Sequence, residues 1–271
     1  RDAVANLFER RYGVPTGRHN ILITPGAVMS VATSFVGLLE AGDEVLLPDP
    51  GWPNYTMAVS LTHGTPVYYS LKPEAGFQPD LAELETLVTP RTKILLLCSP
   101  SNPTGKVFDE ATMRQLLAFA HAHDLRVLSD EIYGDIVFEH PHVSALPYDQ
   151  DGRTLIVSGM SKSYAMTGFR VGFTRASEDY IEMAAKLQEP FVSCGSGFSQ
   201  LAAVEALTGS QECVEKMRAA YQRRRDVALQ VLREYGLYRY TPGGAFYLLI
   251  DTSSSGLDGR GGRHRLGQVL P

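Results

Sequence analysis

Short, unbroken apolar runs constrain this chain most. Ile94-Leu95-Leu96-Leu97 is the clearest of them. Successive side chains of a strand point to opposite sides, so a strand that is apolar at every position must be covered on both faces. Comparable runs recur between longer segments of helical period, and that alternation implies parallel βαβ units. Strands are expected at 21–23, 44–47, 66–70, 93–98, 126–128 and 154–157, with one more at 171–173. Helices are expected at 2–12, 27–40, 52–61, 80–87, 109–123 and 199–206, and a long one at 212–235. Gly13, Gly42 and Gly64 stand where helix C-caps belong, and Asp80 and Asp109 where N-caps belong. The expected fold class is α/β: a mostly parallel sheet covered by helices on both faces.

Composition narrows the function classes. The chain has 271 residues and a net charge of −5, and Arg223-Arg224-Arg225 is its only cationic run. Without a basic block, nucleic acid is not the expected partner, and the arginine run reads as a solvated helix face. The three cysteines, Cys98, Cys194 and Cys213, are far apart and without metal spacing. They read as reduced thiols of a cytoplasmic protein. No apolar run approaches the ~20 residues of a membrane span, so no membrane partner is expected. The histidines form no metal pattern, and His121 and His123, near a helix end, read as surface residues.

Three segments carry chemistry. Ser161-Lys162-Ser163-Tyr164-Ala165-Met166-Thr167-Gly168-Phe169-Arg170 sets a lysine and an arginine just past an apolar strand. A lysine held there can act as an amine nucleophile or a base, and an arginine beside it can hold a phosphate. Ser129-Asp130-Glu131-Ile132-Tyr133 follows another strand, and Asp130 at a buried strand end needs a partner for its charge. Tyr133 can reach the same side, whereas Glu131 then points elsewhere and receives no catalytic role. The third is Ser99-Pro100-Ser101-Asn102-Pro103-Thr104-Gly105, a turn that offers Asn102 as a donor. Gly26, Ala27 and Val28 open a helix, where free N–H groups suit an anion. Trp52, the only tryptophan, reads equally as core or as a stacking surface, and Tyr55 as packing rather than chemistry.

Together and in this order the segments resemble the class I/II aminotransferases, the pyridoxal-phosphate enzymes of the aspartate aminotransferase family. The resemblance runs from about Arg1 to Asp251. It implies pyridoxal 5'-phosphate as cofactor, with Lys162 as its Schiff-base lysine and proton shuttle. It implies Asp130 as the partner of the pyridine nitrogen, and Tyr133 and Asn102 as donors to the phenolic oxygen. Trp52 would stack on the ring. Gly26, Ala27, Val28 and Arg170 would hold the phosphate, and Ser161 would be a further cofactor-binding residue. Two positions depart from the family pattern. Val28 stands where a polar residue is common. Gly159 stands where a phosphate-binding serine is common, which leaves Ser158 and Ser161 as neighbours. The implied reaction moves an amino group between an amino acid and a 2-oxo acid, in a cytoplasmic homodimer.

The domain expectation is a large cofactor-binding domain over residues 1–211, with its beginning missing, followed by residues 212–271 as a linking helix and the start of a small domain. Residues 247–250 would open that small domain. From Asp251 the sequence turns to Ser, Gly and Arg without apolar period, as in a fragment with a frame-shifted or artificial tail. The arginine that anchors the substrate carboxylate in the family has no counterpart in context, since Arg260, Arg263 and Arg265 lie in that tail. The tyrosine that the family takes from the partner subunit would precede Arg1. The chain as given is therefore expected to bind cofactor weakly or to need its missing parts, while the parent protein transaminates. A carbon–sulfur lyase or synthase on the same fold, a non-catalytic sensor domain and an inactive fragment are the competing readings.

Overall fold

The computed structural model describes residues 1–251. Arg260, Arg263, Arg265 and nearly all of the Ser/Gly/Arg tail lie outside the described residues. Seven strands form one sheet: β1 (Ile21–Thr24), β2 (Glu44–Asp49), β3 (Thr65–Ser70), β4 (Thr92–Cys98), β5 (Arg126–Asp130), β6 (Thr154–Gly159) and β7 (Gly172–Arg175). Their order across the sheet is β1-β7-β6-β5-β4-β2-β3. The five strands from β3 to β6 run parallel, and β7 runs antiparallel to both β6 and β1.

The helices are α1 (Asp2–Tyr12), α2 (Ala27–Leu38), α3 (Pro53–Leu61), α4 (Leu81–Leu87), α5 (Glu110–Ala122), α6 (Glu178–Val192), α7 (Gly197–Thr208) and α8 (Glu212–Glu234). Both faces of the sheet are covered, which accounts for the unbroken runs. On β4, Leu95 and Leu97 join a core with Phe8, Leu84, Leu116 and Leu207. Ile94, Leu96 and Cys98 join Val31, Phe35, Tyr55 and Val59 on the other side. The register continues this pleat across the sheet, with Cys98 beside Asp130 and Asp130 beside Val157. The carboxyl ends of β4, β5 and β6 therefore lie side by side, the place where open α/β sheets receive ligands.

Several expected boundaries move. Strand β5 runs on two residues past its expected bound to Asp130, which is its last residue and buried, as its place at a buried strand end required. Helix α2 ends at Leu38 with an extended Leu39, so Gly42 is no cap; its φ of 89° serves the turn before β2. After α3 the cap is Thr62, and His63 rather than Gly64 takes the left-handed conformation, with φ 59°. Gly13 does cap α1 with φ 68°, and the Asp80 and Asp109 side chains accept from the first-turn N–H groups of Ala82 and Thr112. Helix α6 went unforeseen. Its buried face is narrow (Tyr180, Ile181, Ala184, Gln188), and Pro190 inside the helix reads as a break. Residues 247–250 join no strand ladder. Nor is Arg225 a solvated face residue: its side chain is 10% exposed, pairs with Glu139 at 2.6 Å and lies over the Phe138 ring.

Candidate active site

Nine of the ten residues singled out from the sequence as cofactor-binding line one cavity of about 610 Å³, its open mouth included: Ala27, Val28, Trp52, Asn102, Asp130, Tyr133, Ser161, Lys162 and Arg170. The tenth, Gly26, lies directly behind it. A Cβ on Gly26 would overlap the Arg170 guanidinium, so the absence of a side chain is what lets the arginine lie across the start of α2. Gly172 on β7 is equally confined, because a Cβ there would overlap the backbone at Gly26 and Ala27. Two glycines thus let the start of β7 press against the amino end of α2. Arg170 adopts φ 53° and donates from Nη1 to the Thr167 carbonyl at 2.9 Å, which leaves other N–H groups of the fork for an anion.

Asp130 lines the same cavity at the end of β5. It is 3% exposed. Its Oδ2 accepts from Tyr55 Oη at 2.7 Å and its Oδ1 from the Ile132 N–H at 3.1 Å. Burial pushes the carboxyl up to about 6, and the neighbouring Glu131 adds to this. The two hydrogen bonds and the Lys162 charge pull it back only in part. A buried acid with this balance is a receptor for a cation. Tyr55 is the residue that sequence reasoning missed. It was assigned to packing, yet it is 2% exposed and its hydroxyl orients the acid. The available signal was its place one helical turn after Trp52, whose ring it meets edge-on at 5.3 Å.

Because the raised acidity belongs to the folded chain, it predicts a pH dependence of stability without any ligand. Below an aspartate's ordinary 3.8, the carboxyl is protonated in both folded and unfolded chains and costs nothing. Between 3.8 and about 6 only the folded chain keeps the proton, so the contribution to stability is lost as pH rises through this window. The loss is on the order of 2–3 kcal/mol by pH 7. Urea unfolding from pH 4.5 to 7 checks this: Asp130→Asn should lack the part of the slope that the wild-type chain shows.

Lys162 sits in the turn after β6. Its Nζ lies 5.8 Å from the centroid of the Tyr133 ring and 5.6 Å from that of Phe246. The turn is held shut by Met160 N–H donating to Val171 O at 2.9 Å and by Thr167 Oγ1 donating to Ser161 O at 2.9 Å. Of the serines left open by the sequence, Ser161 lines the cavity, whereas Ser158 donates to the Glu131 carbonyl. Gly159 is confined by the Val171 carbonyl, 2.8 Å from where a Cβ would stand. Ile132, Thr167 and Tyr247 also line the cavity without having been foreseen. Glu131 faces away, as expected. Its carboxylate accepts from Ser129, Ser144, His142 and the Ala145 N–H on the far side of the sheet.

The donor set fits pyridoxal 5'-phosphate. One cavity brings together a helix start and an arginine, a buried acid, an amine beside two aromatic rings, and hydroxyl and amide donors. Among the described residues no group of His, Cys, Asp and Glu could hold a metal ion, and no helix is long and apolar enough to cross a membrane.

Comparison with known proteins gives a consistent picture. The family profile described as aminotransferase class I and II matches residues 1–270. The chain is 35% identical over 260 residues to a putative aminotransferase, YugH, of Bacillus subtilis, covering 95% of this chain and 67% of the relative. It is 36% identical over 256 residues to the aspartate/prephenate aminotransferase of Thermus thermophilus, covering 93% of this chain and 66% of that one. The solved structure of Thermus thermophilus aspartate aminotransferase with maleate superposes with a TM-score of 0.95 at 35% identity, over 98% of this chain and 70% of that one. The chain thus spans about two thirds of the length of these relatives.

Proposed function

This chain belongs to the class I and II aminotransferases, and from that premise we propose that its cavity seats pyridoxal 5'-phosphate and serves transfer of an amino group between an amino acid and a 2-oxo acid. The names of the relatives favour transamination over a lyase, a synthase or a sensor domain. One observation carries the assignment to this cavity: residues from five separate segments, each singled out for one part of the same cofactor, meet around one space at the strand ends.

When bound, the cofactor supplies an aldehyde carbon that combines with amines and a ring that draws electron density from the bond being broken. The protein's part follows from its own side chains. Ala27 and Val28 present backbone N–H groups at the start of α2, and Arg170 and Ser161 add donors, so together they hold the phosphate. Val28 contributes no polar side chain, so its backbone alone serves there. Asp130 pairs with the ring nitrogen and keeps it cationic, and Tyr55 holds that acid in place. Asn102 and Tyr133 donate to the phenolic oxygen, and Trp52 covers one ring face. Lys162 Nζ is the amine that holds the aldehyde carbon. When free, this amine would carry the α-proton of the substrate between its α-carbon and the aldehyde-derived carbon two bonds away. Mixing the protein with pyridoxal 5'-phosphate should give an absorption band above that of the free cofactor, which sodium borohydride would fix on Lys162. Labelling of a different lysine would refute the assignment.

The partner is proposed to be a second copy of this chain. Phe191, Phe198 and Leu201, on α6 and α7, are 63%, 89% and 71% exposed, more apolar surface than an isolated chain usually leaves in water. Analytical ultracentrifugation should show a dimer that Leu201→Glu weakens at least tenfold, and a wild-type monomer at all concentrations would rule the dimer out.

A further inference from the structure

Tyr247 belongs to a segment that the sequence assigned to another domain, yet its hydroxyl lies 2.7 Å from that of Tyr133 and its side chain lines the cavity. Three further observations show that this meeting is built. First, the segment before it is laced to both loops that carry donors. The N–H groups of Gly243 and Gly244 donate to the Gly105 carbonyl, three residues from Asn102. Phe138 N–H donates to Gly243 O, and Ala245 N–H donates to Ile136 O, on the loop that carries Tyr133. Second, Ala245 is fully buried in a left-handed conformation, φ 57°, which a non-glycine residue keeps only where its surroundings enforce it. That unusual residue turns the chain so that Phe246 and Tyr247 follow toward the cavity. Third, the Phe246 ring meets the Tyr133 ring edge-on at 5.3 Å, so the phenol is held on its flank as well as at its tip.

We propose that Tyr247 is a positioning residue for Tyr133: it donates to the Tyr133 oxygen and thereby aims the Tyr133 O–H into the cavity, toward the phenolic oxygen of the cofactor. This rests on the reading of the cavity given above. The geometry of two hydroxyls supplies the logic. With only each other in reach, either can donate. When an anionic oxygen in the cavity accepts from Tyr133, the proton between the two tyrosines has to come from Tyr247. Each donation then strengthens the next along the chain. Tyr133 becomes a better donor to an oxygen that carries negative charge, and that oxygen is held deprotonated to lower pH.

The test is a pH titration of the absorption band of the protein saturated with pyridoxal 5'-phosphate, in the wild type and in Tyr133→Phe, Tyr247→Phe, the double variant and Tyr240→Phe. Tyr240 is a half-buried hydroxyl of the same segment that contacts the Leu249 N–H instead, and it serves as control. Tyr247→Phe should raise the midpoint by about 0.4–1 pH unit, the size of one lost hydrogen bond. Tyr133→Phe should raise it further, the double variant should match Tyr133→Phe alone, and Tyr240→Phe should leave it unmoved. A merely structural role for Tyr247 would lower cofactor affinity and leave the midpoint where it was. An unchanged midpoint in Tyr247→Phe, or shifts that add in the double variant, would overturn the proposal while the cofactor assignment stood. A wild-type protein with no band that depends on Lys162 would remove the cofactor reading and this role with it.

Discussion

Lys162→Ala is expected to abolish the absorption band of the protein-bound cofactor and to lower amino-group transfer by on the order of 10⁴-fold or more. The argument combines two separate contributions. One is covalent: no other lysine lines the cavity, so no other amine on its wall can take the aldehyde carbon. The other is the proton. The group that leaves the substrate carbon needs a base within reach, and the remaining titratable lining residues are unsuited to it. Asp130 is occupied by Tyr55 and the Ile132 N–H, and burial holds the Tyr133 hydroxyl well above its ordinary range and so protonated. Pre-steady-state absorbance with an amino acid substrate measures both contributions. Added methylamine should restore part of the proton transfer without restoring the band of the free protein. A Lys162→Ala protein that kept the band would remove the assignment.

Asp130→Asn is expected to lower the rate of proton removal by about 10²–10³-fold, the scale of losing one preorganised charge from an enclosed site. Asparagine can keep the two hydrogen bonds in outline, but it carries no charge to keep a pyridine nitrogen cationic. The loss should therefore fall on kcat more than on cofactor binding, and a solvent-hydrogen or α-deuterium isotope effect should grow as proton removal becomes limiting. The variant should also be the more stable one without ligand at neutral pH, because the buried charge is gone. Loss of activity together with loss of ligand-free stability would mean that Asp130 is structural.

Most of the architecture was legible because burial writes itself into sequence. Strands covered on both faces leave uninterrupted runs such as 94–97, and helix starts leave Asp80 and Asp109. What escaped notice has physical causes. Helix α6 hides behind charges and Pro190, since only a narrow face of it is buried. The end of β5 was placed two residues early because Ser129 and Asp130 are polar, and a polar pair at a strand end reads as a turn until one sees what each side chain meets. Within the site, residues with familiar neighbours were found: Lys162 by its flanking Ser161 and Arg170, Asp130 by Tyr133. Tyr55 and Tyr247 were not, because their roles lie in bonds to residues 75 and 114 positions away, and no local pattern records such pairs.

Asp130 and Glu131 are adjacent acids that meet entirely different surroundings, one a cavity and the other a cluster of serines and a histidine. The only thing that sorts them is the pleat of β5. Deleting a single residue between Arg126 and Asp130 would bring the longer Glu131 side chain to the position that faces the cofactor space, and adding one would carry Asp130 into the socket shaped for four donors. The strand thus behaves as a counting device with a period of two. Insertions and deletions should be tolerated in pairs, if at all, along this stretch, while point substitutions at its exposed first residue pass unnoticed.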